Sequence, residues 1–335
     1  MVIAGAGMAG LCAAARAREL GAETTVLEKG DRPGGSMLLS SCVIWRYNTF
    51  EDFRRECPGG DEALQRAVFD GFDEALEWLV SLGPEVLWDE TPNPRTTGKR
   101  FEPKSLTEAL VRAAGDTRLN ELLPEDAAAP VVLATGGFAV RYARDHGLLV
   151  RCNPWSEGDG LDFARSRGAA LAGDLDEFYG RAMPAPPAMI TEADYVRLSQ
   201  LWDGEARVIN EEGEEFFPGP PAWHESDLAQ AIAKQPGGTA WFVVSEEHRD
   251  DARVRALREA GGTIVEEFGE LALHVSAAVT HTQGGIGVDE SAGVTGVDGL
   301  FAAGADVGGI STGGYSSGLA TALVLGRIAA ESALR

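Results

Sequence analysis

The sequence predicts an α/β protein in which a parallel-sheet domain is interrupted by a smaller inserted α+β segment. Three observations predict it. A strand–glycine turn–helix–strand pattern opens the chain, and a second buried strand ending in glycines follows at Val131 to Leu133. From about Tyr179 to Val279 the βαβ rhythm lapses, then returns near the C-terminus. With 335 residues, 44% hydrophobic and 24% charged, the chain is long enough for two domains.

The opening, "MVIAGAGMAGLCAAARARELGAETTVLEKG", is read in order. Met1 to Ala4 are a short buried strand, Leu11 to Leu20 have helical composition, Gly21 stops that helix, and Thr24 to Leu27 form the next strand. Gly5, Gly7 and Gly10, with Ala6, Met8 and Ala9 between them, make G-x-G-x-x-G at the strand-to-helix junction. In this motif the first glycine permits the turn, the second lets a pyrophosphate approach the backbone, and the third lets helix and strand pack closely. The pyrophosphate then rests on the helix N-terminus. Glu28, followed by Lys29, ends the second strand near the spacing expected of a ribose-binding carboxylate. These residues predict dinucleotide binding and leave FAD and NAD undivided. The segment is apolar like a secretory leader, but it has no basic start and carries glycines where a leader core carries leucines.

Composition excludes several classes. The net charge of −23 disfavours nucleic acid and anionic membrane surfaces as partners, and suits a well-dissolved protein. No stretch reaches the roughly 18 apolar residues that span a bilayer, so no membrane insertion is expected. Cys12, Cys42, Cys57 and Cys152 show neither C-x-x-C nor metal-ligand spacing. They read as reduced thiols in a cytoplasmic protein, with no metal site.

In the middle, "CPGGDEALQRAVFDGFDEALEWLVSLGP" is an amphipathic helix with Leu64, Val68, Phe72, Leu76 and Leu79 on one face, stopped by Gly83 and Pro84. "SLTEALVRAAG" is a second helix, with Ser105 and Glu108 spaced as a capping box. "MPAPPAMI", the hairpin-like "RVINEEGEEFF" and short helices such as "SDLAQAIAK" mark the inserted segment.

Four stretches resemble one family. "EKGDRPGGSMLLSS" carries Gly34, Gly35 and Ser36. "APVVLATGGFA" ends its strand in Ala134, Thr135, Gly136 and Gly137. "NPWSEGDGLDFARSRGAAL" has a G-D-G start to its helix, with Asp159 expected to cap it and face the adenosine end. "THTQGGIGVDESAGVTGVDGLFAAGADVGGISTGGYSSGLATALVLGRIAA" shows H-T-x-G-G, G-L-F-A-A-G-D, a glycine loop and a helix ending G-R-I-A. In this order they resemble the FAD-dependent fumarate reductase/succinate dehydrogenase flavoprotein superfamily, from end to end of the chain. The resemblance implies a Rossmann-like FAD-binding domain of the glutathione reductase type, discontinuous over residues 1–178 and 280–335. It also implies an inserted capping domain over residues 179–279. Members with covalent flavin carry a histidine where this chain has Ser36 and Met37, so the resemblance implies non-covalent FAD. It further implies that Gly304 and Asp306 reach toward the cofactor's ribityl chain. Ser317, Gly318 and Leu319 would then present helix N–H groups to the flavin pyrimidine edge, which favours negative charge there.

Where fumarate reductases of this family place a substrate arginine on the last loop, this chain has Tyr315. Their threonine- and arginine-bearing cap stretch aligns with "GPPAWHE", which has neither. A tyrosine here is similar to the 3-ketosteroid dehydrogenase branch, where it polarises a ketone. A phenol of pKa about 10 stays protonated at neutral pH and can donate to a developing enolate. His281, from H-T-x-G-G, implies a substrate-oxygen contact or a structural donor. Tyr179 and Arg181, where the cap begins, are further candidates for facing the substrate or for scaffold. The expectation is an FAD-dependent α,β-dehydrogenation, or its reverse, of a carbonyl-activated small molecule with an undefined electron donor or acceptor. A fumarate- or urocanate-type reductase of a carboxylated alkene and a non-catalytic flavin electron carrier stay open as alternatives. A separate NADPH domain and a disulfide relay are not expected. The chain is shorter than the family pattern in two places. Only Pro124 to Pro130 stand where a β-meander is usual, and about ten residues replace cap helices ahead of "HVSAAVTHTQGG".

Overall fold

The computed structural model describes residues 1–202, 205–217, 225–267 and 270–335. The chain divides into two compact units. The first holds Met1–Ala139, Asn153–Glu177 and His281–Arg335; the second holds Val140–Cys152 and Phe178–Thr280.

In the first unit, the strands β1 (Val2–Ala4) and β2 (Thr25–Glu28) flank the helix α1 (Met8–Glu19). They lie in a five-stranded sheet ordered Leu300–Ala302, Val131–Leu133, β1, β2, Thr117–Leu119, with every pairing parallel. Strands from the two ends of the chain are thereby separated by one strand only. The first two strands of the sequence reading form nearly as expected, and Gly21, at φ +85°, ends α1 by donating its N–H to the Arg18 carbonyl.

α1 is built of small residues, so it packs almost without side chains. Residues Met8 to Ala15 are all buried. It meets the closing helix, Gly318–Ala333, where a Cβ on Gly326 would lie 2.4 Å from the Ala9 carbonyl oxygen. Beside this layer, β3 (Val43–Tyr47) starts an antiparallel sheet with Thr96–Phe101 and Val86–Trp88. The helix Glu62–Ser81, capped by Asp61, buries Leu64, Val68, Phe72, Leu76 and Leu79 as its periodicity requires.

Two local expectations are corrected. Ser105 does not cap its helix: the helix starts at Pro103, and the Glu102 carboxylate accepts from the Ser105 N–H, leaving the Ser105 hydroxyl to accept from Glu85. Proline at the first helical position moved the start upstream of the S-x-x-E pattern. Asp159 is likewise inside its helix, because Gly158 at φ +96° takes the capping position.

The second unit is a sheet on helices. The strands Phe178–Pro184, Glu270–Thr282, Thr239–Ser245 and Arg207–Ile209 are neighbours in that order, with Ile264–Glu267 and Leu149–Val150 also pairing with the long strand. Trp202, Leu228, Ile232, Phe242, Leu257 and Leu273 fill its core. Val140–Cys152 joins this unit because Leu149 and Val150 pair in parallel with Ala278 and Val279. The other boundaries of this unit fall before Phe178 and after Thr280. Among the described residues, no helix is long and apolar enough to cross a membrane. Gly219 to His224, within the "GPPAWHE" stretch, lie outside the described residues.

Candidate functional site

Three glycines of the opening motif do three different things. Gly5 adopts φ +103°, and a Cβ there would lie 2.1 Å from the Ala134 carbonyl oxygen. A Cβ on Gly10 would lie 1.9 Å from the Gly5 carbonyl oxygen, so turn and helix touch backbone to backbone. Gly7 is different. A Cβ there would find its nearest neighbour, the Gly35 Cα, at 4.0 Å. Gly7 is also the helix N-cap and makes no side-chain cap, so the first N–H groups of α1 face an open cradle. This is the fit a pyrophosphate requires.

The cradle has two other walls. Gly34 (φ +110°) and Gly35 (φ +52°) turn the chain back beside Gly7, and the Gly34 N–H donates to the Ala6 carbonyl at 2.8 Å. The Ser36 hydroxyl accepts from the Asn153 N–H at 3.0 Å. Glu28 is buried and accepts from the Ala6 and Gly30 N–H groups, at 2.7 Å each. Lys29 extends to Glu157 at 2.6 Å and Asp159 at 3.0 Å, which ties Asp159 to the end of β2. Trp155, which the motifs did not single out, lies against Gly30 with the Arg32 guanidinium over its ring.

Asp306 is held in a network of hydrogen bonds. It is 1% exposed, and its carboxylate accepts from the Thr135 N–H, from the Thr135 hydroxyl at 2.8 Å and from the Gly137 N–H at 3.0 Å. The Thr135 hydroxyl in turn accepts from the Gly160 N–H at 3.1 Å. Burial pushes the Asp306 carboxyl above the ordinary carboxylate range, while these hydrogen bonds pull it back. Its oxygens fasten the Ala134–Gly137 turn to the Gly304–Asp306 turn. Gly304, at φ +70°, sits against Ala9 of α1.

The closing helix begins beside this layer. Ser317 caps it by accepting from the Ala320 N–H at 3.3 Å, and helix geometry leaves the Gly318 and Leu319 N–H groups without intrahelical acceptors. A Cβ on Gly318 would lie 3.0 Å from the His281 ring, so the imidazole stands at the positive end of this helix. The surrounding protein strips that ring of water and pushes its pKa down to about 4, so His281 is neutral at pH 7.

Tyr315 lies on the loop just before the helix. Tyr47, buried on β3, donates its hydroxyl to the Tyr315 carbonyl at 2.6 Å, and the Trp45 ring centroid lies 5.4 Å from that of Tyr315. Gln283 donates to the Gly314 carbonyl at 2.9 Å, and the Glu177 carboxylate accepts from the Gly313 N–H. Sequence reasoning missed Tyr47, Trp45, Gln283 and Glu177. An "IWRY" strand gives no hint of which loop it will meet. The first unit thus brings together the opening motif, Glu28, Lys29, Gly34 to Ser36, Ala134 to Gly137, Asp159, Gly304, Asp306, His281, Tyr315 and Ser317 to Leu319. Tyr179 and Arg181 belong to the second unit, on strand Phe178–Pro184, where the Arg181 Nε donates to the Tyr179 hydroxyl at 2.9 Å.

The chain is similar to known proteins along its whole length. The model of an FAD binding domain (FAD_binding_2) matches residues 1–128 and 120–320. "Probable fumarate reductase Ifc3" of Shewanella frigidimarina is 24% identical, covering 100% of this chain and 74% of that protein. That alignment runs over 450 positions for the 335 residues here, so segments of the relative have no counterpart in this chain. Among solved structures, the open conformation of a flavocytochrome c3 fumarate reductase superposes with a TM-score of 0.74 at 22% identity, covering 99% of this chain and 77% of that one. The 3-ketosteroid delta1-dehydrogenase of Sterolibacterium denitrificans, solved with 1,4-androstadiene-3,17-dione, gives 0.75 at 15% identity and 99% coverage of both chains. These likenesses confirm the α/β flavoprotein fold, and the matched model carries the conclusion: this chain belongs to the FAD binding domain family, and FAD is its cofactor.

Proposed function

We propose that this protein is an FAD-dependent oxidoreductase that makes or removes a carbon–carbon double bond beside the carbonyl group of a small molecule. The observation that carries the proposal is Tyr315, mounted ahead of a helix N-terminus that also abuts a neutral His281. Bound FAD supplies the redox chemistry, accepting a hydride in dehydrogenation and returning it in reduction. The residues proposed to hold it are Gly5 to Gly10, Glu28, Lys29, Gly34 to Ser36, Ala134 to Gly137, Asp159, Gly304, Asp306 and Ser317 to Leu319. With Ser36 and Met37 beside the cradle, it is held without a covalent bond.

Tyr315 holds its proton toward the substrate's carbonyl oxygen, where negative charge grows as a proton leaves the neighbouring carbon. His281 contributes a neutral hydrogen bond to the same end of the substrate. A neutral imidazole adds no positive charge for a carboxylate, and the loop offers a phenol where a dicarboxylate reductase of the resembled family has its arginine. Both features favour a ketone over a fumarate-like acid. Tyr179 and Arg181 are proposed as further substrate contacts. We place the reaction in the cytoplasm, in keeping with four buried cysteines that form no disulfide.

The names of the sequence relatives favour one second reading, reduction of a carboxylated alkene. The two are separated by photoreducing the pure flavoprotein anaerobically and adding 1,4-androstadiene-3,17-dione, cyclohexenone or fumarate while flavin absorbance is followed. Reoxidation by an enone is expected. Reoxidation by fumarate alone would replace the proposal with the second reading, and no response to any of them would point to an electron carrier. Tyr315→Phe is expected to keep its flavin and lose at least about two orders of magnitude in rate.

A further inference from the structure

We propose that one face of β3 is the mount that positions Tyr315, with Tyr47 holding its main chain and Trp45 holding its ring. The inference rests on the reading of Tyr315 as the proton-holding group. Trp45 and Tyr47 are two residues apart on a strand, so their side chains share a face. Tyr47 donates to the Tyr315 carbonyl at 2.6 Å. The Trp45 and Tyr315 rings lie 5.4 Å apart, tilted by 59°. The pair is itself braced, with Trp45 edge-on to Tyr47 at 5.2 Å and Phe53 at 5.8 Å on the Tyr47 ring.

The loop's internal hydrogen bonds, from the Gly314 N–H to the Ser311 carbonyl at 3.0 Å and between the Ser311 and Ser316 hydroxyls at 2.5 Å, are made by the residues on either side of Tyr315. "STGGYSSG" is glycine- and serine-rich, and glycine gives up more conformational freedom than any other residue when it is fixed. The opposite side of the loop is already closed. A Cβ on Gly314 would lie 1.6 Å from the Glu56 carbonyl oxygen, Gln283 holds the Gly314 carbonyl, and Glu177 holds the Gly313 N–H. Those contacts fix the two residues before Tyr315, while Tyr47 and Trp45 fix Tyr315 itself. Packing alone would be served by phenylalanine at position 47. The hydroxyl of a buried tyrosine, aimed at the peptide of the reacting residue, does something phenylalanine cannot. Misplacing a reacting group by about 1 Å can cost a hundredfold in rate, so a positioning residue here has a large effect to control.

The test compares wild type, Tyr47→Phe, Tyr315→Phe and the double variant, each loaded with FAD. The rate of reoxidation by 1,4-androstadiene-3,17-dione or cyclohexenone is read beside amide hydrogen exchange over residues 311–316. Tyr47→Phe is expected to lower the maximal rate about tenfold, to leave KM within about twofold and to keep full flavin content. Amide exchange in the loop should rise roughly threefold to tenfold, as loss of one hydrogen bond implies, with no change in α1. Added to Tyr315→Phe, it should slow the enzyme by less than about twofold, since it acts through that residue. Multiplying rate losses in the double variant, or unchanged loop exchange, would overturn the mount. A slow Tyr315→Phe beside a wild-type Tyr47→Phe would remove the mount alone. Wild-type turnover in Tyr315→Phe would remove the reading of Tyr315 and the mount's role together. If Tyr47→Phe does not fold, Trp45→Phe reads the same mount through the ring contact, by the same criteria.

Discussion

His281 stands where a positive charge would face the positive end of the closing helix, and its pKa of about 4 in the folded protein expresses that burial. Unfolded, the ring returns to about 6.5. Between these values the unfolded chain binds a proton that the folded chain does not, so stability falls as pH drops from about 6.5 toward 4. The loss is up to about 3 kcal/mol at the low end. His281→Gln should flatten this slope of unfolding midpoint against pH; an unchanged slope would assign it to other groups. Asp306 makes a second prediction at this scale. Its buried carboxylate accepts three hydrogen bonds from the Thr135–Gly137 turn, and an amide can accept at only one of its two positions. Asp306→Asn should therefore cost about 1–3 kcal/mol in urea unfolding and loosen FAD as the turn opens. The acidic residue was legible in "AAGAD", but its partners were not: they come from 171 positions away, and nothing local encodes that meeting.

At the scale of the element, the opening motif separates folding from binding. Gly10→Ala drives a Cβ to 1.9 Å from a backbone oxygen and should prevent α1 from seating on its turn. Gly7→Ala meets nothing nearer than 4.0 Å at an ordinary negative φ of −82°, so it should fold with nearly unchanged thermal stability and still exclude the pyrophosphate. The two variants share a motif and have opposite fates, which circular dichroism and flavin content together resolve. One residue inserted between Ser317 and Leu319 should likewise leave a folded chain without bound yellow colour, because it rotates the N–H groups at the head of the closing helix. The strands and helices of this domain were readable because buried periodicity and glycine punctuation agree. Local capping was less readable. Pro103 outcompeted the Ser105–Glu108 pattern, and Gly158 took the cap from Asp159, because each offered the chain a backbone geometry that a side-chain pattern cannot outweigh.

The whole molecule is organised by its two ends. The third strand in sequence to join the parallel sheet's centre, Val131–Leu133, separates β1 from Leu300–Ala302, and Ala9 of α1 meets both Gly304 and Gly326. The chain must therefore complete a long excursion through the second unit before this sheet and helix layer closes. In the sequence the βαβ rhythm lapses from about Tyr179. The share taken by Val140–Cys152 was not visible, since Leu149 and Val150 join by parallel pairing with a strand far along the chain. Flavin binding should consequently require both termini at once, which fluorescence titration of FAD into wild type, Gly7→Ala and the insertion after Ser317 measures directly. One FAD per wild-type chain, with neither folded variant binding it, is the predicted result. Full binding by a folded variant altered at either end would contradict the account.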